Sequence, residues 1–202
     1  MLSLEEGRKA TNFARYVVDS YVKKEKINSF DFEEVFNQEF GVFVTIHTYP
    51  KHDLRGCIGI PQPVMSLKKA INEAGKSVTK DPRFLPLTES ELDKILIEIT
   101  VLTKPEIIEV KQPKDYLNNI KVGRDGLIVE QGPYSGLLLP QVPLEQGWDE
   151  KEFLKNTCIK AWLPPDAWLD ERTKIYKFRG QIFSEIKPKG EIKEKNLDGS
   201  DS

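Results

Sequence analysis

Apolar positions in the first part of the chain recur every three or four residues: Ala10, Phe13, Ala14, Val17, Val18, Tyr21 and Val22. That period puts them on one side of a helix, so the pattern predicts an amphipathic α-helix over 4–24. Ser3 and Glu6 have the spacing of a capping box, in which a hydroxyl and a carboxylate satisfy orphan amides of the first turn. Lys23, Lys24 and Lys26 sit at the carbonyl end, where the helix dipole favours positive charge. The period then changes. Residues 42–49, VFVTIHTY, are β-branched and aromatic and predict a strand. After the turn PKHD, LRGCIG at 54–59 reads as its antiparallel partner. Alternate strand residues share a face, so Arg55, Cys57 and Gly59 point one way and Leu54, Gly56 and Ile58 the other. Gly56 and Gly59 allow close backbone approach or a bulge.

Ser66 precedes a second helical pattern, Leu67, Ala70, Ile71, Ala74 and Val78, which Asp81-Pro82 breaks. Thr88 with Glu91 forms a second capping-box pair before a short helix. ILIEITVL, 95–102, is the strongest strand pattern in the chain and stops before Pro105. The stretch 113–147 is turn-rich: GRDG and GPYSG bracket LIVEQ and lead into LLLPQV, which predicts a hairpin-rich lobe. Asp149 with Glu152 starts a helix with Phe153, Leu154, Cys158, Ala161 and Trp162 on one face, stopped by LPPD. TKIYKF and QIFSEI read as a last pair of strands around Arg179-Gly180. The tail 188–202 has too little apolar content to fold and is expected to be disordered, leaving 1–187 as one domain.

Composition narrows the function classes. The chain has 202 residues with a net charge of −2, which argues against a wholly basic nucleic-acid binder. A chain of this length buries roughly 70% of its unfolded surface and needs no disulfide or structural metal to fold. Cys57 and Cys158 are far apart with no CxxC, so free thiols in a reducing compartment are expected. The start MLSLEEGRKA lacks a basic region followed by an apolar run, and no window reaches the ~18 apolar residues of a membrane span. A cytoplasmic location is the expectation. High Lys and Glu with little Cys and Met is thermophile-like.

The residues able to carry chemistry are few. Cys158 lies on an apolar helix face and reads as core. Cys57 has two readings. Arg55 on the same strand face would favour its thiolate, the nucleophilic form, with the glycines leaving the sulfur uncrowded. Alternatively, the small residues let another element pack closely against a tight hairpin. The two histidines, His47 and His52, lie near Cys57 in sequence, and a facing strand would bring one of them towards it. No standard metal-ligand spacing and no phosphate-binding glycine loop is present, so no cofactor or metal is implied. DPRF offers Asp81 and Arg83 as a turn lock, or Arg83 as a planar fork for a carboxylate or phosphate. Glu145 in PLEQGWD is a candidate acid/base or a helix-start carboxylate.

Taken together, the Phe43-Val44-Thr45 strand, LRGCIG, DPRF, PLTESEL at 86–92, VGRDG at 122–126, LLLPQV at 137–142 and EQGWD at 145–149 resemble the AMMECR family. The family is named for the Alport syndrome, mental retardation, midface hypoplasia and elliptocytosis chromosomal region. The resemblance covers most of 4–185. It implies an α+β fold with antiparallel sheets flanked by helices in two unequal lobes. It implies no settled biochemistry. Relatives occur beside or fused to Memo-type domains and radical S-adenosylmethionine enzymes, which implies such proteins as partners. The residues matching the signature, Arg55, Cys57, Asp81, Arg83, Phe84 and Glu145, form the candidate site. Histidine at 47 or 52 is not part of the family pattern. Two functional hypotheses stand: an enzyme or enzyme component binding a small anionic ligand near Arg55, Cys57 and Arg83, or a non-catalytic module docking onto a partner protein. A nucleic-acid-related role is a third, which neither charge balance nor any aromatic-basic motif supports.

Overall fold

Helix α1 (Leu4–Lys23) starts where the capping box places it. Glu6 N–H donates to Ser3 Oγ at 3.3 Å, and Ser3 N–H donates to Glu6 Oε2 at 2.7 Å. It ends at Lys24, which adopts a left-handed conformation with φ of 60°. The computed structural model describes residues 1–28 and 30–195. The chain folds as two compact units: Met1–Lys104 together with the described residues after Gly180, and Pro105–Gly180. The second unit is therefore wider than the turn-rich stretch 113–147. Mixed helices and antiparallel strands bear out the α+β expectation.

In the first unit, β1 (Gly41–Thr48) pairs antiparallel with β2 (Leu54–Ile60), as the hairpin pattern predicts. After α2 (Leu67–Val78) the chain returns as β3 (Ile95–Leu102), antiparallel to β1 on its other side. Val42, Val44 and Ile46 alternate onto one face with Ile97 and Ile99. They bury against Ala14, Val17 and Val18 of α1 and Ala70, Ile71 and Ala74 of α2. Each aliphatic side chain so buried contributes about 1.5–3 kcal/mol, so this one face holds the unit's core together. Phe30, Phe32 and Phe36, from a stretch with no period, close the core beside Phe13, with the Phe13 ring 4.8 Å from that of Phe32. Ser66 precedes α2 as expected, but its hydroxyl makes no capping bond and is buried without a partner.

The second unit begins with β4 (Glu106–Ile107) and the short α3 (Tyr116–Asn119). A tight hairpin, β5 (Asp125–Gln131) and β6 (Tyr134–Leu138), turns at Gly132, whose φ of 57° suits glycine. Then come α4 (Gln141–Gln146) and α5 (Glu150–Lys160), whose Phe153, Leu154 and Cys158 bury beside Leu127 and Val129 of β5. Trp162, expected on that buried face, is 88% exposed instead. The helix stops at Lys160 and Trp162 takes a φ of 61°, so the 3.6-residue period no longer directs its side chain.

Two further expectations are corrected. TKIYKF and QIFSEI are one continuous strand, β7 (Lys174–Glu185). No turn forms at Arg179-Gly180, because Arg179 pairs with Asp125 of β5 and keeps the backbone extended. Residues 188–195, expected within a disordered tail, instead turn back through β8 (Ile192–Lys195), antiparallel to the end of β7. Ile192 joins the first unit's core, and its carbonyl accepts Arg8 Nε at 3.1 Å. One well-placed isoleucine and four ladder positions were enough. Residues 196–202 of that expected tail lie outside the described residues.

A buried ion cluster also ties the first unit. Arg15, on the inner side of α1, donates through Nε to Glu185 Oε1 at 2.9 Å and through Nη2 to Glu185 Oε2. It also donates to the carbonyls of Leu92 (3.1 Å) and Ile95 (2.8 Å). Glu185 Oε2 accepts the Ile97 amide at 2.9 Å as well. Arg15 thus joins α1, β3 and the end of β7 through groups that leave little of either charge uncompensated.

Candidate functional site

Among the described residues β2 is the outer strand of its sheet, with β1 as its single neighbour. Such an edge presents unpaired amides and carbonyls to solvent unless something covers them. At Cys57 the DPRF segment does so with side chains. Cys57 N–H donates to Asp81 Oδ2 at 2.9 Å, and Arg83 Nη2 donates to the Cys57 carbonyl at 3.2 Å. Arg83 also grips Asp81, Nε to Oδ1 at 3.0 Å and Nη2 to Oδ2 at 2.7 Å, and its own amide donates to Oδ1 at 3.1 Å. Asp81 and Arg83 together act as a one-residue neighbouring strand. The Asp81 side chain is 1% exposed, and the Arg83 guanidinium beside it holds its carboxyl well below the usual range, against the opposing effect of burial.

Arg55 does not follow simple alternation. Ile46 pairs with Gly56 and His47 with Leu54, so Arg55 is the extra residue of a β-bulge. The bulge aims it at Glu91: Nε to Oε1 at 2.8 Å and Nη2 to Oε2 at 3.3 Å, with a further bond from Nη2 to the Leu85 carbonyl at 2.9 Å. Burial raises the Glu91 carboxyl, and Arg55 with the amide and hydroxyl of Thr88 outweighs it, leaving the group below its ordinary value. Both guanidinium carbons also lie within 6 Å of the Phe84 ring, at 5.8 Å for Arg55 and 5.7 Å for Arg83. Arg55, Cys57, Asp81, Arg83 and Phe84 therefore meet, and Glu91 joins them. The cluster is charge-balanced: two arginines face two carboxylates.

Cys57 itself is partly exposed, on the sheet face away from α2, where it stands opposite Thr45. The Thr45 hydroxyl reaches its sulfur at 3.4 Å. His47, expected as a potential base, lies 3.7 Å from Glu98, and His52 sits after the hairpin's first strand with φ of 60°. Burial pushes the Glu98 carboxyl up, but His47 and the Lys195 ammonium, 2.6 Å away, outweigh it and lower it. Cys158 is fully buried, and desolvation raises its thiol to about 11, consistent with a core residue. Glu145 is exposed on α4, in the second unit.

The loop carried by this cluster is braced along its length. Phe84 N–H donates to the Asp81 carbonyl at 3.0 Å, the Leu85 carbonyl accepts Arg55, and Leu87 N–H donates to the Thr79 carbonyl at 2.8 Å. Leu87 turns into the core. Leu85, between these anchors, is 83% exposed. Sequence reading stopped at the DPRF tetrapeptide and passed over this leucine. Its place directly before Pro86-Leu87, in the run LPL, was the available signal.

The profile of the AMMECR1 family matches residues 11–183. Protein MJ0810 of Methanocaldococcus jannaschii is 55% identical over 198 residues, covering 98% of this chain and 98% of that protein. A Methanococcus aeolicus protein is 51% identical over 194 residues, 96% of this chain and 98% of its own. Among solved structures, that of Uncharacterized Protein PH0010 from Pyrococcus horikoshii is similar with a TM-score of 0.84 at 48% identity, covering 96% of this chain and 98% of that one.

Proposed function

This chain belongs to the AMMECR1 family, and from that premise we propose that it is a protein-docking module whose contact element is the loop Arg83–Pro86. One observation carries the reading: a loop held at Asp81, Phe84, Leu85 and Leu87 keeps the Leu85 side chain in water. Folding gains nothing from an ordered leucine that stays solvated. A partner does gain, because an apolar anchor fixed in advance loses little conformational entropy on docking. The Arg55 and Arg83 pairs are then the scaffold of the loop. The partners implied by the resemblance, a Memo-type protein or a radical S-adenosylmethionine protein, are the ones to test.

The second reading is a small anionic ligand near Arg55, Cys57 and Arg83. In its favour, the Arg83 side chain is 55% exposed and Cys57 is partly accessible. Against it, each arginine already faces a carboxylate, so an incoming anion must compete with Glu91 or Asp81. The experiment is calorimetric titration of the purified chain with the Memo-type protein of the same source, repeated with Leu85→Asp. Loss of a central apolar anchor weakens such a complex by about tenfold or more. Equal affinity of Leu85→Asp and wild type, or no association, would refute the docking loop.

A further inference from the structure

While the signature arginines are engaged by carboxylates, two lysines of the same unit face a hollow and, among the described residues, form no ion pair: Lys24 and Lys80. The hollow, of about 500 Å³, lies where α1 and α2 end and the segment after α2 begins. That is within the range of small-molecule sites. Its apolar wall comes from Val22, Pro86 and Leu87. Tyr21 fixes one cation: Lys80 Nζ donates to the Tyr21 hydroxyl at 2.7 Å and lies 4.8 Å from the ring centroid. The other cation stands on a backbone outlier. Lys24 occupies the left-handed capping position with φ of 60°, where glycine is the unstrained residue. A lysine kept at that cost points to a use for its side chain.

α1 and α2 both end at the hollow, and the negative ends of their dipoles oppose an anion there, so the two lysines must outweigh them. The last-turn carbonyls of Ser20 and Tyr21 already accept the amides of Lys24 and Glu25, and those of Ser77, Val78 and Thr79 accept Lys80, Asp81 and Leu87. Two ammonium groups against the single carboxylate of Glu25 leave a surplus of one positive charge. We propose that this hollow binds a singly charged organic carboxylate with a compact apolar body, the carboxylate between Lys24 and Lys80 and the body on Val22 and Leu87. Pro86 of the docking loop lines it but Leu85 does not, so Leu85→Asp tests the loop without altering the hollow's wall.

Phenylacetate is the probe, followed by amide chemical shifts of the full chain, with phenylacetamide and acetate as its uncharged and bodiless counterparts. A ligand of this size is expected to bind with a Kd of about 1 mM and to shift the amides of Val22, Lys80 and Leu87. Phenylacetamide and acetate should each bind at least about tenfold more weakly. Lys80→Gln and Lys24→Gly should each weaken phenylacetate about fivefold, and Glu25→Gln should strengthen it. Lys24→Gly suits the positive φ, so it separates loss of binding from loss of folding. Absence of saturable shifts up to about 20 mM phenylacetate, equal binding of phenylacetamide, or unchanged binding to the Lys24→Gly/Lys80→Gln variant overturns the site.

Discussion

Replacing Asp81 with Asn exchanges one oxygen for an NH2 group and tests the edge clamp directly. The carboxylate accepts four hydrogen bonds, from Cys57 N–H and Arg83 Nη2 at Oδ2, and from Arg83 N–H and Nε at Oδ1. An amide keeps one acceptor and turns the other into a donor. Whichever way it is oriented, the new NH2 group faces two donors that it cannot satisfy. Bonds to a charged group contribute a net ~1.5–3 kcal/mol each, but the Arg83 side chain is largely solvated and its share is screened. The expected loss is about 2–3 kcal/mol, or roughly 5–10 °C in Tm for a chain of this size. Because the bonds are local, the Cys57 amide should exchange with solvent about 30–100-fold faster than in wild type. Acid supplies a second arm. The folded carboxyl titrates below its unfolded value of ~3.9, so its contribution is complete above that pH and is lost as the pH falls towards the folded value. Urea unfolding followed by circular dichroism should therefore show a larger penalty for Asp81→Asn at pH 7 than at about pH 3. A loss under about 0.5 kcal/mol, or one equal at both pH values, would refute the clamp.

Further outcomes follow from the same contacts. Removing one partner of the buried pair, as in Glu185→Ala, should cost about 3–5 kcal/mol, whereas Arg15→Met with Glu185→Leu should cost far less, as read by chemical denaturation. Equal losses would mean that the pair's charges are not what holds the three elements. Truncation after Lys187 removes β8 and the buried Ile192, and should lower Tm by more than about 5 °C. An unchanged Tm would restore the expectation of an inert tail. On alkylation of the native protein, followed by peptide mass, Cys57 should be modified while Cys158 reacts only on unfolding. Native-state reaction of Cys158 would contradict its burial.

How much of this was legible in the sequence depends on the separation over which each interaction acts. Helix α1, the β1–β2 hairpin and β3 are set by period, capping and turn residues within a few positions of each other, and all three stand where those signals put them. The meeting of Arg55, Cys57, Asp81, Arg83 and Phe84 was legible only as a shared signature. The chemistry of the meeting was not. Glu91, the partner of Arg55, was read as a capping residue, and it performs both tasks, accepting the Thr88 amide at 2.8 Å as well. The bulge at Arg55 depends on register with β1, which a single strand's pattern does not contain. Arg15 is the one charged residue among the buried positions of α1, and that charge was the available signal of a buried partner far along the chain. Composition failed for β8 because four residues on an existing edge need little apolar content of their own.

The glycine of the signature shows why these residues belong together. Gly56 faces the end of α2, and a Cβ there would come within 3.0 Å of the Val78 carbonyl oxygen and 3.2 Å of its Cγ2. The absence of a side chain at 56 lets the helix end approach the strand. That approach brings Asp81 to the Cys57 amide, since Asp81 is only three positions after Val78 and its amide bonds back to the Val78 carbonyl at 3.3 Å. With Asp81 fixed, Arg83 is fixed, and the chain after it is directed towards Arg55, which holds Leu85 by its carbonyl. Cys57 stands at the start of this sequence of contacts through its backbone, not its sulfur. Both polar groups that engage Asp81 and Arg83 are main-chain atoms that any residue but proline would supply. The side chain at 57 is therefore not needed for the clamp, and its contact with Thr45 leaves the sulfur at a site whose backbone is held on both sides.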